Sequence, residues 1–462
     1  MVQDLRTYLD KLRLQGELTT VAKEVDPRTQ LGFLLWQSEE AVLFNRLKGY
    51  QNWRIVGQTL KTRRQLALSL NTEPQETLTE ATRRIDAKPA KCRKVSDGPV
   101  KEVVLRGDKV DLGSIPVPIS SEGDVAPFIT AGLCIVKDPE TGIRNMAFHR
   151  LQVKSRRHTG VLMVPRHTWM IYEKYEALGE PMPMAVVIGH HPAYEIAAAY
   201  SGPFGLDELE VAGSLLQEAP EVVGCETIDL EVPAAAEIVL EGEVPSGLRE
   251  EEGPFGEFQG YLLTGKGLNP VFNVKAITMR RDAIYRHVQA GRPPTEHQTL
   301  VGFPMEIAIY KHVKDVEGYI DLKDVHVPPS GGCFTVILQL TPQYEGQAKN
   351  ALMASLSSPY LHPKIAVAVD EDIDIYNPAD VQWAVSTRVN PSRDIFVVDG
   401  TRNHPMDPSL PQISPPGTRW QWVGSKMGID ATKPPMSQPE ERAAFDRIKP
   451  MGWMRNRLEE FV

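Results

Sequence analysis

The sequence predicts an α+β fold with more than one domain. With 462 residues, the chain is longer than most single domains. Its central part contains many short strand-like segments joined by long loops, which is typical of a β-rich body. Residues 334–398 instead alternate strand and helix patterns, which indicates a separate small α/β domain.

The N-terminal part is expected to combine helices with short strands. Leu5, Leu9 and Leu12 follow the spacing of one helix face, so the first 14 residues predict an amphipathic helix. Residues 18–25 have a strand pattern, and another short strand is expected at residues 102–106. The region between them, to about residue 90, alternates helical stretches with turns and carries little recognisable chemistry.

The centre of the chain is predicted to be mostly strands. Residues 129–137 and 145–153 flank a turn with the sequence Asp-Pro-Glu-Thr-Gly, which predicts a hairpin. One helix is expected at residues 193–200. Further strands are expected at residues 161–164, 185–188, 232–240 and 269–279.

A long helix is predicted at residues 295–313, because apolar residues there return with helical spacing. Pro304 lies inside this segment and predicts a break or kink. Beyond it, strands are expected at residues 334–340, 365–369 and 395–398, with helices at 343–356 and 379–386. The last part is expected to be a tail rich in Pro, Gly and Ser at residues 407–435, then a helix at 439–458.

Composition excludes several classes of function. The net charge of −9 gives no basic surface for nucleic acid or an anionic membrane. The four cysteines are far apart and lack metal-type spacing, which suits a reducing cytoplasm. No apolar leader and no run of about 18 apolar residues occurs, so we expect a soluble, cytoplasmic protein without membrane spans.

The most distinctive segment is Glu-Glu-Glu-Gly-Pro-Phe-Gly-Glu-Phe-Gln-Gly-Tyr at residues 250–261. Gly253 and Gly256 permit backbone conformations closed to other residues, so the turn can direct Glu252 and Glu257 into one space. Two carboxylates in unlike surroundings allow one to donate a proton while the other stays charged. From these residues alone, an ordinary charged hairpin on the surface is the alternative.

Four further polar residues belong with the two glutamates as candidates. Asn145, His167 and Glu208 have side chains that suit Mg²⁺ or Mn²⁺ next to a phosphate, and Arg150 suits a phosphate or a carboxylate. No phosphate-binding glycine motif and no nucleophile elbow occurs. The pair His190–His191 is expected to be structural, and the acidic run at residues 370–374 is expected to be a solvated turn.

Taken in order, six segments make the chain resemble the UbiD family of decarboxylases, which use prenylated FMN. The match spans residues from about 125 to 400, and the Glu-Gly-Pro-Phe-Gly-Glu turn is its most specific part. The segments are residues 145–150, with the family's N-x4-R spacing, and then 167–169, 207–213, 232–242, 252–261 and 370–388.

The resemblance implies a division of the chain. An N-terminal α/β segment, residues 1–110, would pack on a cofactor domain at 111–293. That domain would be a split β-barrel of the flavin-reductase-like type. A connecting helix at 294–318 would join it to a smaller α/β oligomerisation domain and tail at 319–462.

The resemblance also implies the roles of the candidate residues. Asn145, His167 and Glu208 would hold Mn²⁺ or another divalent metal on the cofactor phosphate, with K⁺ nearby. Arg150, Glu252 and Glu257 would form the catalytic set, with Glu257 protonating a covalent adduct between substrate and prenylated FMN after CO₂ leaves. The implied cofactor-binding residues are Asn145, Ala147, Phe148, His149, Arg150, His167 and Glu208.

Two positions stay open at this stage. The run Glu250-Glu251-Glu252 leaves the first catalytic carboxylate ambiguous by one or two residues, and Glu252 is preferred by its spacing. His297, at the start of the long helix, is a candidate contact for a heteroatom or a second carboxylate of the substrate; the alternative is a helix-capping or partly buried histidine.

The implied function is reversible, non-oxidative decarboxylation of an aromatic, heteroaromatic or α,β-unsaturated carboxylic acid. A furoate- or pyrrole-carboxylate-like acid competes with a hydroxybenzoate as the expected substrate, and the other product is CO₂. The implied partners are a flavin prenyltransferase, which supplies the cofactor, and further copies of the chain in a homodimer or homohexamer. The alternatives are a plain FMN-dependent oxidoreductase and a non-catalytic subunit of a multi-subunit carboxylase.

Overall fold

The computed structural model describes residues 3–87, 90–262, 267–410 and 422–451. The helices within them are α1 (Leu5–Leu14), α2 (Leu31–Gln37), α3 (Arg63–Leu70), α4 (Thr77–Asp86), α5 (His167–Leu178), α6 (Pro192–Ala199), α7 (Glu208–Leu216), α8 (Glu296–Glu317), α9 (Gln347–Leu356), α10 (Pro378–Arg388), α11 (Pro391–Asp394) and α12 (Pro439–Ala443). None of these helices has both the length and the apolar character needed to cross a membrane.

The strands of the described residues form four sheets. They are β1 (Leu18–Val21), β2 (Ala41–Phe44), β3 (Arg54–Gly57), β4 (Arg93–Lys94), β5 (Val103–Arg106), β6 (Phe128–Ile129), β7 (Leu133–Lys137), β8 (Arg144–Phe148), β9 (Leu151–Val153), β10 (His158–Val161), β11 (Met182–Ile188), β12 (Glu221–Gly224), β13 (Glu231–Pro233), β14 (Ile238–Val244), β15 (Arg249–Glu252), β16 (Gly267–Met279), β17 (Ile284–Arg286), β18 (Leu322–His326), β19 (Thr335–Leu340), β20 (Ile365–Val369), β21 (Ile395–Arg402) and β22 (Val423–Ala431).

A ten-stranded antiparallel sheet dominates the centre, as the strand-rich sequence predicts. Its order is β6-β9-β10-β16-β14-β11-β7-β8, and β5 and β15 also pair with the long strand β16. A bulge lies between Glu241 and Gly242, where β14 meets β16. A Cβ atom on Gly242 would lie 1.9 Å from the Asn273 carbonyl oxygen, so the close approach of these strands requires glycine.

Both faces of this sheet are buried. Along β7, Ile135 belongs to the main core, which the sheet shares with α6 to α9. Cys134 and Val136 belong to a second core, which the sheet shares with the N-terminal strands and α5. This alternation follows from the two-residue period of a strand. The sheet therefore lies between a helical layer and the N-terminal segment, and its loops are held from both sides.

The long helix α8 continues through Pro304. It runs without interruption for 22 residues, so of the break or kink expected there, the break does not occur. Its start is held by a capping box, in which Thr295 and Gln298 exchange hydrogen bonds. A proline inside a helix costs about 3 kcal/mol, and burial of its neighbours Phe303 and Met305 in the main core offsets that cost.

The C-terminal part is an α/β unit with two strands more than the sequence predicts, β18 and β22. Its sheet order is β18-β19-β20-β22-β21; β19, β20 and β22 are parallel, and β21 runs antiparallel to β22. The third parallel strand is thus β22, inside the segment expected to be a tail. Within β22, a Cβ atom on residue 428 would lie 2.3 Å from the Phe396 ring, so this position requires glycine. Glycine is typical of loops, and the sequence pattern therefore predicted a loop where the structure has a strand.

Two further C-terminal predictions need correction. The acidic run at residues 370–374 is a turn with Glu371 and Asp374 exposed, as expected, but it is not solvated throughout. Asp370 is buried and accepts a hydrogen bond from Arg442 Nη1 at 2.9 Å, and Asp372 pairs with Arg388 at 2.8 Å. Those partners lie far along the chain, so no local pattern shows them. The helix expected at 439–458 ends at Ala443, and positions 452–458 lie outside the described residues.

Candidate active site

Arg150 lies at a break between two strands that the sequence predicts as one. Strand β8 pairs with β7 and ends at Phe148, and β9 begins at Leu151 and pairs with β6 and β10. The chain changes partner strands here, so His149 and Arg150 are outside the regular ladder. Contacts from outside the sheet can therefore orient their side chains.

The turn after β15 is built around its two glycines in different ways. Gly253 has φ of +94°, a conformation that favours glycine, as the sequence predicts. Gly256 does not have a positive φ; instead, a Cβ atom there would lie 2.7 Å from Ser121 Oγ. Its N–H donates to Asp124 Oδ1 at 2.7 Å. The loop carrying Ser121 and Asp124 thus holds the turn from outside.

The turn brings both glutamates to one guanidinium. Arg150 Nε donates to Glu252 Oε1 at 2.9 Å, and Nη2 donates to Oε2 at 2.6 Å. The remaining nitrogen, Nη1, donates to Glu257 Oε1. The side chain of Glu252 is fully buried and that of Glu257 is 9% exposed. One positive charge is therefore shared by two carboxyl groups that are largely shielded from water.

The geometry selects one glutamate from the run at residues 250–252. Glu250 pairs with Lys154 Nζ at 2.7 Å near the surface, and Glu251 is exposed. Glu252, the last residue of β15, points inward and forms the two-pronged pair with Arg150. The alternation of a strand places Glu251 on the opposite face from Glu250 and Glu252, and of these two Glu252 is the more deeply buried.

Aromatic rings cover the guanidinium of Arg150. The Phe255 ring centre is 5.1 Å from its carbon Cζ, and the Phe128 ring centre is 6.0 Å away. Phe128 and Phe255 form a small buried cluster with Ala290. Such rings exclude water and lower the local dielectric, which strengthens the charge interactions within the site.

The three residues expected to hold a metal lie on neighbouring elements. Asn145 is on β8, while His167 and Glu208 are the first residues of α5 and α7. Glu208 accepts hydrogen bonds from Asn145 Nδ2 at 2.9 Å and from the Met146 N–H at 2.7 Å. Asn145 and His167 line the same small cavity. The fold therefore gathers residues that are 63 positions apart in sequence.

The chemistry of this group fits a cation. Burial raises the pKa of Glu208 to about 8, and both of its hydrogen-bond donors above are neutral. Burial also lowers the pKa of His167, which favours the neutral imidazole that binds metals. No three His, Cys, Asp or Glu residues of the described chain form a metal site, and the candidate set has only two such residues plus an amide.

The other expected cofactor residues lie along the same strand end. Phe148 packs against the main core, and Ala147 is half-buried. His149 Nδ1 is 3.1 Å from the Leu162 carbonyl oxygen, so this nitrogen is the donor, and burial lowers the ring's pKa to about 4. The other nitrogen, Nε2, is buried without a hydrogen-bond partner in the described structure, as expected of a group awaiting a polar ligand.

His297 lies beside Phe258, and the centres of their rings are 5.5 Å apart. His362 and His404 also face Phe258, at 5.7 and 6.0 Å, and sequence reasoning missed both. Each precedes a proline in a loop, which was the available signal. His191 has the structural role expected of the pair at 190–191, since its Nδ1 accepts from the Ala193 N–H and caps α6.

Family models match most of the chain. Three models of 3-octaprenyl-4-hydroxybenzoate carboxy-lyase domains match it. They are the N-terminal domain at residues 9–85, the Rift-related UbiD domain at 93–293 and the C-terminal domain at 298–431. A curated relative, the anhydromevalonate phosphate decarboxylase of Methanothermobacter thermautotrophicus, is 33% identical over 437 residues, which are 93% of this chain and 97% of the relative.

Solved structures agree with the family models. The UbiD-class enzyme HmfF from Pelotomaculum thermopropionicum, in complex with FMN, has a TM-score of 0.90 and 37% identity, covering 99% of this chain and all of that one. An evolved dimeric form of HmfF in complex with prFMN has a TM-score of 0.88 and 34% identity, covering both chains fully. The chain therefore belongs to the UbiD family of carboxy-lyases.

Proposed function

We propose that the protein is a reversible, non-oxidative decarboxylase that depends on prenylated FMN. Its substrate would be an aromatic, heteroaromatic or α,β-unsaturated carboxylic acid, with furoate- and pyrrole-carboxylate-like acids included. The observation that carries this proposal is the sharing of Arg150 by Glu252 and Glu257 in a site shielded from water. An ordinary flavin oxidoreductase has no need of this arrangement.

Charge balance suggests different roles for the two glutamates. Glu252 has both carboxylate oxygens on Arg150, so we assign it to orienting the guanidinium. Glu257 shares only one nitrogen of Arg150 and adjoins Phe258. One guanidinium compensates one carboxylate, which favours a proton on the second carboxyl group. We therefore assign Glu257 as the acid that returns a proton to the carbon that has lost CO₂.

The remaining candidates would bind the cofactor. When bound, prenylated FMN would supply the electron sink for decarboxylation that no side chain can provide. Asn145, His167 and Glu208 would hold Mn²⁺ or another divalent cation beside its phosphate, with K⁺ nearby; the burial of the Glu208 carboxyl group beside two neutral donors supports a cation there. The unpaired Nε2 of His149 supports a polar ligand beside Arg150. Ala147 and Phe148 would contact the same ligand.

The architecture that goes with this function is also a proposal. The antiparallel sheet would be a split β-barrel of the flavin-reductase-like type at residues 111–293, covered by residues 1–110. Residues 294–318 would connect it to an oligomerisation domain at 319–462, giving a homodimer or homohexamer. A flavin prenyltransferase would supply the cofactor, in the cytoplasm.

The test combines cofactor identity with turnover. The protein would be produced together with a flavin prenyltransferase, and the released cofactor would be examined by mass spectrometry. CO₂ release would then be measured across a panel of aromatic, heteroaromatic and unsaturated acids. We expect the mass of prenylated FMN and acid-dependent CO₂. Plain FMN without CO₂ from any acid would contradict the proposal and favour an oxidoreductase or a non-catalytic subunit.

A further inference from the structure

The turn that leads to Glu257 is anchored at both ends by side chains from other segments. The Gly253 N–H donates to Gln152 Oε1 at 2.9 Å. The Gly256 N–H, directly before the assigned acid, donates to Asp124 Oδ1 at 2.7 Å. The position of Glu257 therefore depends on a loop that lies more than a hundred residues earlier in the chain.

Asp124 is itself held in one orientation. Its second oxygen, Oδ2, accepts hydrogen bonds from the N–H groups of Ser120 and Ser121 at 3.1 and 3.0 Å. The Val125 N–H donates to the Pro254 carbonyl oxygen at 3.2 Å and ties the same loop to the turn. Burial raises the pKa of Asp124, and the three N–H groups that point at its carboxylate oppose this rise by favouring the charged form.

The charge of Asp124 acts on the same guanidinium as the two glutamates. Its three hydrogen bonds come from neutral backbone groups, so they do not compensate its charge. The cation that acts on it is Arg150, which is already bonded to Glu252 and Glu257. Three carboxyl groups thus share one positive charge, and like charges close together disfavour ionisation of one of them. Because Glu252 holds Arg150 with both oxygens and Asp124 accepts three N–H bonds, Glu257 is the group that stays protonated.

The other titratable groups around the turn leave this balance unchanged. Glu250 pairs with Lys154 at 2.7 Å and lies 3.7 Å from His158, near the surface. Three charges on the flanking segments are exposed and screened by solvent: Glu122, Glu251 and Arg292. Burial lowers the pKa values of the surrounding histidines, which are therefore neutral near pH 7; they are His149, His287, His297, His362 and His404.

We propose that Asp124 is a positioning residue for the acid: it anchors the turn through the Gly256 N–H, and its negative charge favours the protonated form of Glu257. This inference rests on the proposed decarboxylase function. It adds a third carboxyl group, from a separate loop, to the two that the turn carries. Asp124 acts through Glu257 and is assigned no contact with the substrate.

Two variants separate the charge of Asp124 from its anchoring bond. Asp124→Asn removes the charge but keeps an oxygen that can accept from the Gly256 N–H, whereas Asp124→Ala removes both. Asp111→Asn is the matched control, because Asp111 makes the same kind of contact near the surface, with the Gly113 N–H at 2.9 Å. Flavin content is measured for each holoenzyme, so that a loss of cofactor is not mistaken for a loss of proton transfer.

Two measurements follow the proton of Glu257. One is the pH dependence of kcat from CO₂ release; the other is an infrared titration of the protonated carboxyl band, assigned by its absence in Glu257→Gln. The acid works only while protonated, so activity falls as pH rises through the midpoint of this titration. We expect Asp124→Asn to lower both midpoints by about one pH unit and to keep kcat at low pH, where the acid is protonated. Asp124→Ala should show the same shift and a kcat at low pH at least about tenfold lower, and Asp111→Asn should change neither quantity.

The outcomes separate this inference from the proposed function. Unchanged midpoints in the Asp124 variants, or equal kcat at low pH in Asp124→Asn and Asp124→Ala, would overturn the positioning role. If one variant folds poorly, the midpoint of the other still decides the effect of the charge. If no acid releases CO₂, the proposed function fails, and the infrared titration alone decides whether Asp124 favours the protonated form of Glu257.

Discussion

The pair between Arg150 and Glu252 allows a quantitative prediction. Changing Glu252 to Gln keeps the shape of the side chain but removes its charge and places an NH₂ group against a guanidinium nitrogen. At least one of the two hydrogen bonds, at 2.9 and 2.6 Å, is lost. Of the two glutamates, only Glu257 can then be an anionic partner of Arg150. Breaking a buried ion pair costs about 3–5 kcal/mol, and we expect a loss of stability in this range.

The same change should affect turnover through Glu257. With Glu252 neutral, Arg150 attracts Glu257 as a carboxylate, which removes the proton that Glu257 is assigned to deliver. We expect kcat to fall at least about 100-fold, since general acid catalysis contributes about 10²–10⁴-fold. Urea unfolding measures the first effect, and CO₂ release by the folded holoenzyme measures the second.

Glu250→Gln is the matched control for this prediction. Glu250 lies two residues earlier on the same strand and pairs with Lys154 near the surface, where such pairs contribute about 0–1 kcal/mol. The free energy of unfolding of Glu250→Gln should lie within about 1 kcal/mol of that of the unchanged protein, and kcat should be retained. If Glu252→Gln behaved like this control in both assays, the reasoning about the shared guanidinium would be refuted.

Three further outcomes are expected. Gly256→Ala should lower activity, because its Cβ would lie 2.7 Å from Ser121 Oγ, whereas Gly224→Ala, with open space around it, should not; equal activities would contradict this. Burial lowers the pKa of His287 to about 4 in the folded protein, whereas a histidine of the unfolded chain titrates near about 6.5. Between these pH values the unfolded chain binds the proton and the folded protein does not, so the free energy of unfolding should fall as pH drops from about 6.5 toward 4. His287→Gln should flatten that fall by up to about 1.4 kcal/mol per pH unit in urea unfolding, and an unchanged slope would contradict it. Glu208→Gln should lower manganese affinity at least about tenfold, measured as metal content after dialysis; full retention would argue against this ligand.

Local patterns predicted most regular elements but not their exceptions. The sequence indicated the strand-rich centre and the alternating strands and helices near the C-terminus, because apolar periodicity reflects burial directly. It did not indicate β22, whose glycines and polar residues lack that pattern, since Gly428 is required by the ring of Phe396. It also predicted a break or kink at Pro304, and the helix continues through that residue without a break, with the flanking residues Phe303 and Met305 buried.

The candidate site likewise combines residues that the sequence predicts with features that only the fold reveals. Motif order was enough to select Arg150, Glu252 and Glu257, and the structure places their charged groups together. It could not reveal the strand break that frees Arg150, because residues 145–153 look like one continuous strand. His362 and His404 were missed because only the fold brings them to Phe258, and no spacing along the chain encodes that meeting.

The assignment of Glu257 as the proton donor is tested most directly by following the proton into the product. Holoenzyme carrying Glu257→Gln would be compared with Glu251→Gln, the exposed glutamate on the other side of the turn, for CO₂ release in D₂O and deuterium in the product. We expect Glu257→Gln to retain prenylated FMN but to lose turnover and deuterium incorporation, and Glu251→Gln to keep both activities. Normal turnover and deuteration in Glu257→Gln would show that Glu257 does not deliver the proton.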